Sequence, residues 1–189
     1  MIKDLVLKNR SYRRFYQNET IELSVIKELI NLARLSASAA NLQPLKYIIS
    51  NEPVENESIF KTLGWAGYLK DWKGPSEGEK PSAYIIILND SSINKNPSLD
   101  TGISAQSILL GAVEKGLGGC MIGNINKIEL KSVLNIDEKF EINLVIAIGK
   151  PKEKVVIDKM GLITDVKYWR DEDEIHHVPK RSLDEIILI

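Results

Sequence analysis

Apolar positions fall at helical spacing in two long stretches of the chain and cluster into short runs elsewhere. From Leu23 to Ser36, Val25, Ile26, Leu29, Ile30, Ala33 and Leu35 recur every three or four residues. That spacing marks one face of a helix, and Ser24 is placed to cap its start. Asp100 to Lys115 predicts a second long helix. Ile103, Ala105, Ile108, Leu109, Leu110, Ala112 and Val113 make it apolar around most of its circumference, which predicts burial in a core or at a subunit interface. Shorter helices are predicted over Ile2 to Asn9, with Leu5 and Val6 inward, from about Glu57, and over Ile128 to Leu134. Leu45 to Ser50, Ala83 to Leu88 and Leu144 to Ile148 read as strands. The last two are apolar throughout, as strands covered on both faces are. Gly116, Gly118 and Gly119 predict a helix end and a tight turn. Ser36 to Pro44 reads as a loop, and residues from Lys150 onward as charged and irregular. The chain nevertheless finishes on LDEIILI, which must pack on its own core or on a partner subunit. Helices and a few strands joined by long connections make the fold class α+β.

Composition narrows the picture. The 189 residues are 43% hydrophobic and 27% charged, an ordinary balance for one globular domain. Such a length buries roughly 70% of its unfolded surface. Lys and Arg number 25 against 26 Asp and Glu, a net charge of −1, so neither nucleic acid nor an anionic membrane is expected as a partner. The single cysteine, Cys120, excludes an intrachain disulfide and a CxxC metal site and reads as a small buried residue. His176 and His177 are adjacent and so point in different directions. They are expected at the surface, and no metal site is predicted. The N-terminal stretch lacks the apolar run of a signal peptide, and no apolar run reaches the ~18 residues of a membrane span. A cytoplasmic, reduced protein is the expectation.

Positive charge gathers at both ends of the sequence, in Arg10-Ser11-Tyr12-Arg13-Arg14 and in Lys180-Arg181. Guanidinium forks beside a serine hydroxyl suit a phosphate. Two solvated basic patches explain the same residues. The run GLGG at 116–119 follows a helix and matches no phosphate loop. Asn41 and Gln43 stand in a loop between buried elements, where ligand contacts commonly arise. Trp65, Tyr68 and Trp72, spaced by three and four, suggest core packing, a dimer contact or a cover. There is no nucleophile elbow and no evident triad. An enzyme built on this sequence needs a cofactor to do the chemistry.

Taken in order along the chain, these segments resemble the nitroreductase family of flavin enzymes. Arg10-Ser11-Tyr12-Arg13-Arg14-Phe15 resembles its R-S-x-R-x-F motif. Ser36 to Pro44 resembles its P-S-x-x-N-x-Q-P loop. Asp100 and Gln106 on the apolar helix resemble the central dimer helix, 116–123 the G-L-G-x-C-W-I-G turn, and Val178-Pro179-Lys180-Arg181 the C-terminal basic motif. The resemblance implies a central, mainly antiparallel mixed sheet flanked by helices. It also implies a single domain over 1–189 and an intertwined homodimer, with about 165–189 packing on the partner. It further implies FMN as cofactor and NADH or NADPH as donor. Arg10 and Ser11 with Lys180 and Arg181 would hold the FMN phosphate, and Arg13 would sit at the pyrimidine edge of the flavin. Ser38 and Asn41 would reach the flavin from the other subunit. Met121, Ile122 and Gly123 would lie against one flavin face, and Tyr12 and Gln106 complete the expected set. No side chain is expected to be catalytic, since flavin N5 carries the chemistry.

The implied activity is ping-pong transfer of hydride from NAD(P)H to a small acceptor such as a nitroaromatic or a quinone. Flavin storage without turnover, a flavin-fragmenting or dehalogenating branch, and a helical interaction protein are the alternatives. Ala37 stands where the family often has proline, Leu45 and Met121 where it often has tryptophan. These departures touch loop rigidity and pocket shape and leave the cations in place.

Overall fold

The computed structural model describes residues 1–160 and 165–188. Its centre is a four-stranded sheet of β1 (Leu45–Ser50), β2 (Ala83–Asp90), β3 (Gly118–Ile122) and β4 (Phe140–Gly149), in the order β1-β2-β4-β3. All three pairings are antiparallel, with Ile85 opposite Ile146 and Cys120 opposite Ala147. Strand β2 is buried along nearly its whole length because it lies inside the sheet and both faces are covered. Side chains alternate between the faces with period two. Ile85, Ile87, Ile146 and Ile148 meet α2 (Leu23–Leu35) and α4 (Ser98–Glu114). Tyr84, Ile86, Val145 and Ala147 meet α3 (Pro53–Lys61) and α5 (Lys127–Val133). The apolar periodicity of α2 thus has a physical address: Ile26, Leu29 and Ala33 are buried against Ala105, Ile108 and Ala112. Truncating a fully buried leucine such as Leu29 would cost about 2–5 kcal/mol.

Two attachments build on this body. The segment after α1 (Ile2–Lys8) runs along the free edge of β3, where Ser11 bridges Gly119 and the Tyr12 amide donates to the Gly119 carbonyl at 3.0 Å. A second sheet joins β5 (Val155–Lys159), β6 (Trp169–Arg170) and β7 (His176–Lys180), with β7 central, parallel to β5 and antiparallel to β6. A short α6 (Leu183–Ile186) follows.

Several expectations need correction. Glu22, not Ser24, precedes α2, and it makes no side-chain cap. Helix α3 begins at Pro53, where proline suits the first turn, rather than near Glu57. Gly116 does close α4, with φ of +74°, the left-handed geometry glycine tolerates. Gly118 and Gly119 instead open strand β3. Leu5 is only half-buried and Val6 exposed, so α1 has no buried residue within the chain. The stretch after Lys150 contains three strands that its charge concealed. Cys120 is buried as expected, 4% exposed. Within the chain Tyr168 and His176 pack around the cavity and Pro179 is buried, while Leu183, Ile186, Ile187 and Leu188 stay exposed. The expectation for 161–164 and 189 lies outside the described residues. No helix among the described residues is long and apolar enough to cross a membrane.

Candidate functional site

Docking the N-terminal segment on β3 leaves a cavity of about 280 Å³ between that segment, α4 and the small sheet. Asn9, Arg10, Ser11 and Arg13 form one wall, and Gln106 and Leu109 of α4 with Met121 of β3 form the floor. Tyr168, His176, Val178 and Lys180 close the other side. Among the described residues three cations line this space, and no carboxylate does. A cavity of one sign concentrates ligands of the opposite sign, because low-dielectric walls focus the field. In a chain of net charge −1 such local segregation is informative.

The cations are held differently. Arg10 donates through Nη2 to the Val6 carbonyl at 2.8 Å, while its buried Nε has no partner among the described residues. Arg13 is 8% exposed. Its Nη1 lies 3.0 Å from His176 Nε2 and 3.3 Å from the Ser11 carbonyl, and its guanidinium lies over the Tyr168 ring at 4.6 Å. Behind it, the Arg13 amide donates to Glu153. Glu153 is fully buried, also accepts from the Arg14 amide at 3.3 Å, and pairs with Arg170 at 3.0 Å. Arg14 points elsewhere, pairing with Glu79 through two contacts of 2.7 and 2.8 Å and with Glu174 at 2.6 Å. The Arg14 contact, aided by Lys152, holds the Glu79 carboxyl down at about 2.

His176 overturns its expected surface position, since it has no exposure at all. On β7 the side chains of His176, Val178 and Lys180 share one face, the face toward the cavity. His177 takes the other face. There it lies 3.0 Å from Asp158 and 3.1 Å from Asp171, and it stacks on Trp169 at 4.1 Å. Burial would lower the His177 pKa, but the bonds to Asp171 and Asp158 raise it. Burial, then the charges of Arg13, Arg170 and His177, push His176 down to about 4. No cluster of metal-ligating side chains occurs among the described residues.

Of the expected site residues, the chain brings together Arg10, Ser11, Arg13, Gln106, Met121 and Lys180. Tyr12 stands behind this wall, its hydroxyl on the Lys8 carbonyl at 3.0 Å. Ile122 is buried on the α3 and α5 face of the sheet, and Gly123 follows the end of β3. Arg181 is exposed and pairs with Glu185 at 3.5 Å. Ser38 and Asn41 lie apart, in the loop before β1. There Ser38 accepts from the Gln43 amide at 2.9 Å and lines a separate cavity of about 210 Å³ with Asp100. Ala40, Asn41 and Gln43 in that loop all have φ near +50°. Left-handed geometry costs a non-glycine residue roughly 1–3 kcal/mol and persists where the surroundings impose it, often at functional sites. Of the aromatic trio, Trp65 is in the core, Tyr68 packs on Tyr168 at 4.9 Å and Trp72 on Arg170 at 4.3 Å. Tyr168, His176 and Glu153 were not expected. The signal available for His176 was the period-two run His176, Val178, Lys180.

The family model for the nitroreductase family matches residues 6–150, and the chain belongs to that family. A Bacillus subtilis protein provisionally named NAD(P)H nitroreductase MhqN is 24% identical over 180 residues, covering 78% of this chain and 87% of that one. A Pseudomonas protein named Cr(VI) reductase is 26% identical over 150 residues, covering 73% of this chain and 61% of its own length. Among solved structures, a nitroreductase family protein of Streptococcus pneumoniae superposes with a TM-score of 0.73 at 17% identity over the whole of both chains. An FMN-dependent nitroreductase of Clostridium difficile gives 0.70 at 20% identity, over 100% of this chain and 98% of the other. The α+β architecture is therefore the nitroreductase fold. The matched stretch ends before the small sheet, so Tyr168, His176, Val178 and Lys180 lie beyond it.

Proposed function

We propose that this chain is an FMN-dependent NAD(P)H oxidoreductase that reduces a small acceptor, such as a nitroaromatic or a quinone, by a ping-pong cycle. The observation that carries this reading is the cavity with three cations, no carboxylate and the family's N-terminal motif along one wall. The residues fit the cofactor. Arg10 and Lys180 offer two charges to a phosphate, and Ser11 adds a hydroxyl. Arg10 also brings a buried N–H with no partner among the described residues, a group that gains from a ligand acceptor. FMN, when bound, supplies hydride acceptance and donation at N5. Arg13 contributes a fixed positive charge that stabilises negative charge on whatever occupies the cavity. The loose end of the site also has a reading. About 280 Å³ is slightly below the ~300–1,000 Å³ of most small-molecule sites, so a second wall from another copy of the chain is part of the proposal. Ser38, Asn41 and the exposed Leu183, Ile186 and Ile187 are the segments such a homodimer would use.

The test is direct. Purified protein should be yellow, release about one FMN per chain, and bleach anaerobically with NADH or NADPH. The colour should return with a nitroaromatic, a quinone or chromate, the last suggested by the relative named Cr(VI) reductase. Arg10→Ala and Lys180→Ala should each weaken FMN binding by about tenfold or more, since a charge-assisted contact is worth about 1.5–3 kcal/mol. Arg181→Ala, by its position on Glu185, should weaken it less. Protein that stays colourless with added FMN overturns the reading. Yellow protein that neither pyridine nucleotide reduces supports storage instead.

A further inference from the structure

We infer that His176 is a positioning residue for Arg13: its neutral imidazole accepts a hydrogen bond from the guanidinium and fixes the direction of the most enclosed cation in the cavity. The inference deepens the flavin reading and rests on it for the consequence at the cofactor, but the contact itself is a property of the chain. Three facts carry it. The ring is wholly buried on the cavity face of β7. Its Nε2 lies 3.0 Å from Arg13 Nη1. Tyr168 holds both groups at once, under the guanidinium at 4.6 Å and beside the imidazole at 5.1 Å.

The chemistry follows from the donor and acceptor inventory. A guanidinium has only donors, so the imidazole nitrogen facing it must carry a lone pair. That places the proton on Nδ1, which is buried with no partner among the described residues. The opposite tautomer, with the proton on Nε2, would set two donors against each other. A protonated ring would add a third positive charge beside those of Arg13 and Arg170, which agrees with the lowered pKa. The charged and titratable neighbours are Arg13 on the N-terminal segment, Arg170 and Tyr168 beside the cavity, Glu153 behind them, and His177 next along the strand. A rigid, uncharged acceptor thus orients Arg13 without neutralising it. An arginine free to swing away would stabilise developing negative charge less, because preorganisation is lost.

The test compares wild type with His176→Phe, which keeps an aromatic ring and loses the acceptor, and His176→Gln, whose amide oxygen can reach the former Nε2 position. For each, FMN affinity is measured by fluorescence quenching and the flavin midpoint potential by anaerobic titration. In His176→Phe the reduced flavin should be held about tenfold more weakly relative to the oxidised form, which for a two-electron couple lowers the potential by about 30 mV. His176→Gln should restore most of it, which a purely structural loss would not do. An unchanged potential in His176→Phe, or an equal fall in both variants, overturns the inference. Independently of flavin, long-range ¹⁵N–¹H spectra of the wild type should show His176 as the neutral Nδ1–H tautomer at pH 7. Its Nε2 signal should move in Arg13→Met. An Nε2–H tautomer, or an unmoved signal, overturns the inference. Should wild type bind no FMN, the flavin reading fails while these spectra still decide the Arg13 contact.

Discussion

Replacing Glu153 with alanine removes a fully buried carboxylate that joins the start of the chain to its end. One oxygen accepts the amide protons of Arg13 and Arg14, and the other pairs with Arg170, itself 9% exposed. Three losses coincide. Arg170 becomes a buried cation with no ionic partner among the described residues, its guanidinium over the Trp72 ring, and breaking a buried pair costs about 3–5 kcal/mol. Two backbone amides lose their acceptor, about 1–3 kcal/mol each if they stay dry. These terms share one group and do not add, and water entering the vacated space recovers part of them. We expect about 3–5 kcal/mol in total, a large share of the ~5–15 kcal/mol that holds a domain. Glu153→Gln keeps an acceptor for the amides and loses only the charge, so about half that loss is expected. Denaturant unfolding followed by tryptophan fluorescence reads the effect as a fall in midpoint at constant slope. A loss below about 1 kcal/mol for the alanine variant, or equal losses for both, would refute this account of how the cavity wall is anchored.

Two further outcomes follow from the same geometry. His176 sits at about 4 against an ordinary 6.5, and Glu79 at about 2 against 4.5. The folded state therefore binds fewer protons than the unfolded one across both windows, and stability falls as pH drops. The first decline runs from 6.5 toward 4 and the second from 4.5 toward 2, the first being worth at most about 3 kcal/mol before solvent screening. His177, with a raised pKa, acts oppositely and loses its contribution as pH rises above 6.5. Denaturation midpoints against pH should lose the upper decline in His176→Phe and keep the lower one, and an unchanged upper slope would contradict the assignment. In Gly119→Ala, the new Cβ would lie 2.6 Å from the Ala147 carbonyl oxygen, a backbone atom that no rotamer change can move. An overpacking cost of about 1–3 kcal/mol should appear in thermal melts, together with weaker FMN retention, because Ser11 pairs with that residue.

How far the sequence discloses this protein depends on what each element buries. The two long helices and the apolar strands announce themselves because one periodicity serves one core: Leu29 and Ile108 recur at helical spacing and are both fully buried. The small sheet did not, because its apolar residues are few and mostly only half-buried: Val155, Val156 and Val178 are partly covered and Ile157 is exposed. Along β7, His176 and Lys180 face a charged cavity while His177 meets two carboxylates on the other side. Polar residues alternate as faithfully there as apolar ones do elsewhere, yet a hydrophobic pattern cannot register them. The same holds for Glu153, one residue in a run of charges whose burial depends on partners at positions 13, 14 and 170. The cations at 10, 13 and 180 were legible through family motifs, and the sequence could not say which members of each motif turn inward. Lys180, the last residue of β7, lines the cavity, while Arg181, just past the strand, is exposed and pairs with Glu185.

The arrangement around Arg13 explains how acids can crowd a basic cavity without cancelling it. Glu153 accepts from the Arg13 backbone amide, and among the described residues its contacts are with the two amides and Arg170 and not with the Arg13 guanidinium. Its second oxygen is occupied by Arg170. Glu79 and Glu174 are likewise engaged by Arg14. The guanidinium of Arg13 therefore meets neutral groups, the Ser11 carbonyl, the His176 nitrogen and the Tyr168 ring. Each of these restrains its position, and none offsets its charge. A carboxylate partner would have held the side chain as firmly and removed the field it projects into the cavity. Separating the group that anchors the segment from the groups that aim the cation keeps a full positive charge fixed inside a largely desolvated space. Electrostatic stabilisation of a reduced, anionic ligand requires that combination.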